Sequence, residues 1–173
     1  RMGTPHPPAA LRYRHGLKKE FSNVILARLI DWAPIEQPLQ QTADWKTAEG
    51  AARFLKEEHE KPFFLGCGIY LPHLPWYLPR EYFEMHPLDA IQLPSHRPDD
   101  FEDIPEAGRR MAAKDGAIIR GSGKWREAVQ GCLAAGSFAD ACVGHVLRAL
   151  EKSGYANNTI VVHPDGYFKG VPR

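Results

Sequence analysis

The chain has 173 residues, 43% of them apolar and 25% charged, with a formal net charge of +1. That length allows one domain with a sizeable core, and the balanced charge speaks against nucleic acid as the main partner, because phosphate binding draws on a basic excess. No apolar run reaches the length of a membrane span. The opening Arg1-Met2-Gly3-Thr4-Pro5-His6-Pro7-Pro8 lacks the apolar stretch of a signal peptide and reads as the middle of a longer chain.

Residues 1–45 form an irregular lead-in rich in Pro, Gln and basic residues, with one apolar segment, Phe21 to Trp32, whose type the pattern does not fix. Residues 46–173 read as a helix-strand-loop-helix-strand core. Ala48, Ala51, Ala52 and Leu55 recur at helical spacing and predict a helix over 46–60, with Lys56, Glu57 and Glu58 on its wet side. Thr42 or Asp44 could cap it. After the breaker Lys61-Pro62, the apolar run Phe63 to Tyr70 predicts one buried strand. Prolines 72, 75 and 79 follow, and proline pushes the residue before it towards extended geometry. His73 therefore sits in a stiff segment just past a strand end, where open α/β sheets bind ligands. Loop histidines are also often bystanders.

Residues 71–123 promise little regular structure. Pro79-Arg80-Glu81-Tyr82-Phe83 can open a short helix, and Glu106 to Lys114 one or two helical turns. Asp99, Asp100, Glu102 and Asp103 invite a calcium reading. With no glycine-centred loop and distal Glu, a solvated surface loop is the better reading. Gly116, Gly121 and Gly123 suggest a flexible connection.

Residues 124–153 carry the strongest helical stripe, from Trp125 through Val129, Leu133, Phe138 and Val143 to Leu150, with Gly154 at the usual left-handed cap position. Thr159-Ile160-Val161-Val162 predicts a second buried strand, ending in His163-Pro164-Asp165-Gly166. Asp165 stands either where α/β enzymes hold metals or substrates, or in an ordinary Asp-Gly turn. Cys67, Cys132 and Cys142 match no zinc or redox spacing and read as buried free thiols.

Several segments, taken together, resemble the type I sulfatase family, and within it the iduronate-2-sulfatase-like group. They are Lys61-Pro62-Phe63-Phe64-Leu65, Leu71-Pro72-His73-Leu74-Pro75-Trp76-Tyr77-Leu78-Pro79 and Tyr82-Phe83-Glu84-Met85-His86-Pro87. Asp103 to Arg110, Lys124 to Gly131, Ser137 to Gly144 and Leu150 to Val162 continue the likeness, in order and with matching spacing. The likeness covers roughly residues 30 to 170.

The resemblance implies an α/β fold, an alkaline-phosphatase-like α/β/α sandwich that is incomplete in this chain. It implies sulfate-ester hydrolysis by the hydrate of a formylglycine, with Ca2+ holding the sulfate and Lys and His side chains assisting. A hard cation suits a sulfate oxygen. His73 matches the family's Pro-His-x-Pro histidine, which can protonate the ester oxygen. Asp165 matches the metal-binding Asp, but the His between Asp and Gly in the family's Ser-Asp-His-Gly is missing, and His163 lies two positions too early to replace it. Lys169 is the candidate for the family's later substrate-binding lysine, at a departing spacing. The family's Cys- or Ser-x-Pro-x-Arg nucleophile motif does not occur in these residues, and the N-terminal Asp-Asp metal pair and the Lys-x-x-His segment that follows the nucleophile, which normally precede the region present here, are missing with it. The chain alone is therefore expected to have no turnover.

Three functional expectations follow: the central portion of a working sulfatase, a non-catalytic relative that binds through a remnant pocket, or a phosphate-ester hydrolase of the wider alkaline-phosphatase superfamily. The substrate would be a sulfated sugar or small alcohol, and the compartment periplasmic, secreted or lysosome-like. Strands stripped of sheet neighbours would favour self-association through exposed sheet edges.

Overall fold

A computed structural model describes residues 30–97, 99–111 and 115–163. Helix α5, Trp125–Glu151, is its spine, about 40 Å long at 1.5 Å per residue. Its buried residues are Ala128, Gly131, Ala134, Ala135, Phe138, Cys142 and Ala149. Steps of three and four keep them on one stripe, and most are small, so neighbours approach its backbone closely.

Helix α1, Ala43–Phe54, lies on that stripe and buries Ala48, Ala51 and Ala52. Glu49 and His145 pair across the two helices at 2.7 Å, with the Trp45 ring 4.6 Å from the His145 ring. Thr42 occupies the N-cap position without capping, since its hydroxyl donates to the Leu39 carbonyl instead. The helix ends at Phe54, short of the expected 60.

Two strands absent from the sequence reading also pack on α5. Strand β1, Trp32–Ile35, pairs in parallel with β2, Trp76–Pro79, in the register Trp32 with Trp76 through Ile35 with Pro79. At Gly131 a side chain would come within 3.0 Å of the Trp76 ring and 3.1 Å of Trp32 Cβ, so glycine permits this close approach. Helix α2, Arg80–Glu84, follows β2 directly and places Tyr82 against Phe138, edge to face at 5.2 Å. Short helices α3, Glu106–Met111, and α4, Asp115–Gly121, together with 3-10 turns at Leu39–Gln41 and Leu88–Ala90, complete the described elements. The latter replaces the expected flexible connection.

Residues 63–70 correct the expectation of a buried strand. The segment is extended, and its side chains alternate between half-buried and exposed. Phe63, Leu65 and Ile69 pack inward, while Phe64 is 97% exposed. Among the described residues no backbone ladder pairs this segment. Residues 159–162 are likewise extended and unladdered, with Ile160 90% exposed. Residues 63–70 have the period of a strand with one side uncovered, whereas Ile160, Val161 and Val162 are all exposed. Of the three free thiols only Cys142 is fully buried; Cys67 is half-buried and Cys132 exposed. Gly154 does not take the left-handed conformation; among the described glycines only Gly123 has a positive φ, 72°.

Candidate functional site

The Pro-His-x-Pro loop joins the extended segment 63–70 to β2, and groups distant in sequence pin it. Asp44, in the first turn of α1, is buried and points its carboxylate at the loop's entry. It accepts from the Tyr70 amide at 3.0 Å and the Leu71 amide at 2.9 Å. Charged acceptors make the stronger class of hydrogen bond. The Trp76 indole reaches back and donates to the Pro72 carbonyl at 2.8 Å, while its amide donates to the Asp31 carbonyl at 2.9 Å. The buried Asp31 carboxylate accepts from the Trp32 amide at 2.9 Å and from the Tyr77 hydroxyl, tying β1 to β2.

Within this frame, the His73 amide donates to the Tyr70 carbonyl at 3.0 Å and closes a turn. Leu71-Pro72 and Leu74-Pro75 on either side are cis. His73 Nδ1 lies 2.6 Å from the Leu74 carbonyl oxygen, which can only accept. The neutral ring therefore carries its hydrogen on Nδ1, which leaves the ring lone pair on Nε2. That is the arrangement a general acid or base needs.

Asp165 and Lys169 lie outside the described residues, so their relation to His73 is not part of this geometry. His163 is exposed. Among the described residues no three His, Cys, Asp or Glu side chains gather where a metal ion could sit. The acidic loop is occupied with its own cations. Arg97 pairs with Asp99, and that hydrogen bond holds Asp99 below the ordinary carboxylate value. The Arg97 amide donates to Asp100 at 3.0 Å, and His96 lies 3.4 Å from the same carboxylate. Burial, and then the charge of Asp44, push the Cys67 thiol up, so it is no activated nucleophile.

A groove of about 460 Å3 lined by Pro34, Arg80, Phe83, Glu84 and Gln130 opens at the other end of β2. Beside it His86 Nε2 meets the Ser137 hydroxyl at 2.8 Å, while Gln130 donates to the carbonyls of Phe83 and His86. These contacts fasten the end of α2 to α5. Sequence reasoning singles out His73 but not Asp44, Tyr70 and Asp31 as the groups around its loop. Asp44 was visible only as a possible helix cap, and nothing local links it to residues 26 and 27 positions on.

The sequence model of the sulfatase family matches residues 7–163. A protein of Formosa agariphila named sulfatase is 36% identical over 138 residues, covering 76% of this chain and 27% of that protein. Mouse iduronate 2-sulfatase is 32% identical over 134 residues, covering 68% of this chain and 24% of that protein. The human protein of the same name is 27% identical over 150 residues, or 73% and 26%. The chain thus spans about a quarter of the length of the curated relatives it matches.

Proposed function

The chain belongs to the sulfatase family, and from that premise we propose that it forms part of the catalytic domain of a sulfuric ester hydrolase, with His73 as proton donor to the leaving alcohol. The observation that carries this reading is the Nδ1 contact to the Leu74 carbonyl, which turns Nε2 to proton exchange in the loop where the family keeps its histidine. The formylglycine that the family implies would supply the oxygen nucleophile for sulfur; as the sulfur–oxygen ester bond breaks, the departing alcohol oxygen would take the Nε2 proton of the His73 imidazolium, leaving the neutral ring with its hydrogen on Nδ1. No Cys- or Ser-x-Pro-x-Arg occurs among the 173 residues, so in this reading the nucleophile would come from sequence outside them.

Residues 63–70 and 159–163 would be strands of a completed α/β/α sandwich, since 63–70 covers only alternate side chains and Ile160 to Val162 stand exposed. Calcium fits the described residues poorly. A site of six to eight oxygens needs several carboxylates, and none gather here. Asp165 would supply one ligand and Lys169 a charge for the sulfate. The substrate class is a sulfated sugar or small alcohol, met in a periplasmic, secreted or lysosome-like compartment. No helix among the described residues is long and apolar enough to cross a membrane.

A second reading, a non-catalytic binding relative, is favoured by one observation: His163-Pro164-Asp165-Gly166 lacks the histidine the family places between Asp and Gly. The test is release of nitrocatechol from its sulfate by the complete protein. The expected result is metal-dependent turnover, cut about 100- to 10,000-fold in kcat by His73→Ala. Retained activity in that variant would remove His73 from the reaction. A complete protein with no turnover would leave the binding reading, and faster cleavage of the matching phosphate ester would favour a phosphate-ester hydrolase.

A further inference from the structure

Tyr70 is an aromatic residue 43% exposed at the end of the extended segment, so burial alone does not account for its placement. Its amide is fixed by Asp44 and its carbonyl by the His73 amide. Its ring lies over the His73 imidazole, centroids 4.9 Å apart and planes 31° from parallel. Its hydroxyl donates to the Leu74 carbonyl at 2.9 Å and sits 3.0 Å from His73 Nδ1. Three polar atoms therefore form a closed triangle: the Tyr70 hydroxyl, His73 Nδ1 and the Leu74 oxygen.

We propose that Tyr70 is a positioning residue for His73, its hydroxyl holding the Leu74 carbonyl and the imidazole in the one arrangement that keeps hydrogen on Nδ1 and leaves proton exchange to Nε2. The proposal rests on the reading of His73 as proton donor. A carbonyl oxygen has two lone pairs and accepts here from two donors, the tyrosine O–H and the imidazole Nδ1–H. Moving the ring hydrogen to Nε2 would set two lone pairs against each other across 2.6 Å. The hydroxyl oxygen can also accept part of the Nδ1–H bond. Without the hydroxyl, the carbonyl keeps one donor and is freer to turn, and the ring can follow it. A partner on the far nitrogen commonly sets which nitrogen of a histidine is reactive.

The experiment uses the complete protein with nitrogen-15 histidine. His73 is assigned by the signal lost in His73→Gln, and spectra are recorded at alkaline pH, where the imidazole is neutral. Wild type is expected to hold the hydrogen on Nδ1, and Tyr70→Phe, which keeps the stacked ring, to show a mixture of tautomers. With nitrocatechol sulfate, Tyr70→Phe is expected to lose about 10-fold in kcat with KM unchanged, since proton transfer is affected and binding is not. Hydrogen on Nε2 in wild type, or an unmoved tautomer in Tyr70→Phe, overturns the proposal. A complete protein without sulfatase activity would overturn the functional reading instead, and the nitrogen spectra would still decide the role of Tyr70.

Discussion

The wall made by α1, α5 and the β1–β2 pair differs from the two extended segments, 63–70 and 159–162, in how each treats its apolar residues. On the wall, Phe138 is 1% exposed and wrapped by Tyr82 and the other core side chains. On the extended segments, Phe64 and Val162 are 97% and 77% exposed. Both regions are rich in apolar residues, so composition does not separate them. The wall closes on partners within the chain. Segment 63–70 has a covered face and an open one, residues 160–162 are exposed throughout, and neither backbone has a ladder among the described residues. A helix satisfies its own backbone, whereas a strand depends on its neighbours.

The sharpest way to break this comparison is to truncate one phenylalanine in each region. Phe138→Ala is expected to cost about 3–5 kcal/mol in urea unfolding, from lost burial plus the cavity left behind. Phe64→Ala in the isolated chain is expected to leave stability unchanged and to reduce self-association in sedimentation. In the complete protein the same change should approach the core penalty, because a completed sheet would cover that side chain. A neutral Phe64→Ala in the complete protein would mean that this face stays open there too.

Asp44 connects the two regions, standing on α1 and holding the amides that end the extended segment. Asp44→Ala leaves two amides without their acceptor and is expected to cost about 2–3 kcal/mol. Asp44→Asn keeps one acceptor oxygen and should cost less. Hydrogen exchange at the Tyr70 and Leu71 amides is the check. Protection surviving in Asp44→Ala would show that the loop is held by other means.

Much of the wall was legible in the sequence, because α-helical order is local. The helix predicted over 124–153 became α5 at 125–151, but of its predicted apolar stripe only Phe138 is fully buried; Leu133 is exposed, and small residues such as Ala128, Ala134 and Ala135 form the contact face. The β1–β2 pair was not legible. Its strands have four residues each, carry Pro34 and Pro79, and meet across 44 positions. Proline argues against a strand interior, and pairing over such a distance leaves no local trace. Helix α4 was hidden by Gly116 and Gly121, which read as punctuation. The run 63–70 predicts one buried strand, yet only alternate residues find cover within the described chain. At the site, His73 showed itself through its flanking prolines, whereas the Asp44 clamp and the Tyr70 hydroxyl exist only once the chain has folded.

The thiols offer the smallest test and divide along the same line. Cys142 sits in the wall, and burial first, then the negative charges of Asp44 and Cys67, push its thiol up to about 12 from an ordinary 9.0. Below 9.0 the thiol is neutral whether the protein is folded or not, so its contribution to stability is fully present. Above 9.0 the unfolded chain ionises this group and the folded one does not, so stability falls as pH rises towards 12. Cys132, on the outer side of the same helix, is exposed. Alkylation of the native protein followed by peptide mapping should therefore mark Cys132 first and Cys142 only on unfolding. Equal labelling of the two would mean that the wall opens as readily as the extended segments, and the contrast between the regions would be lost.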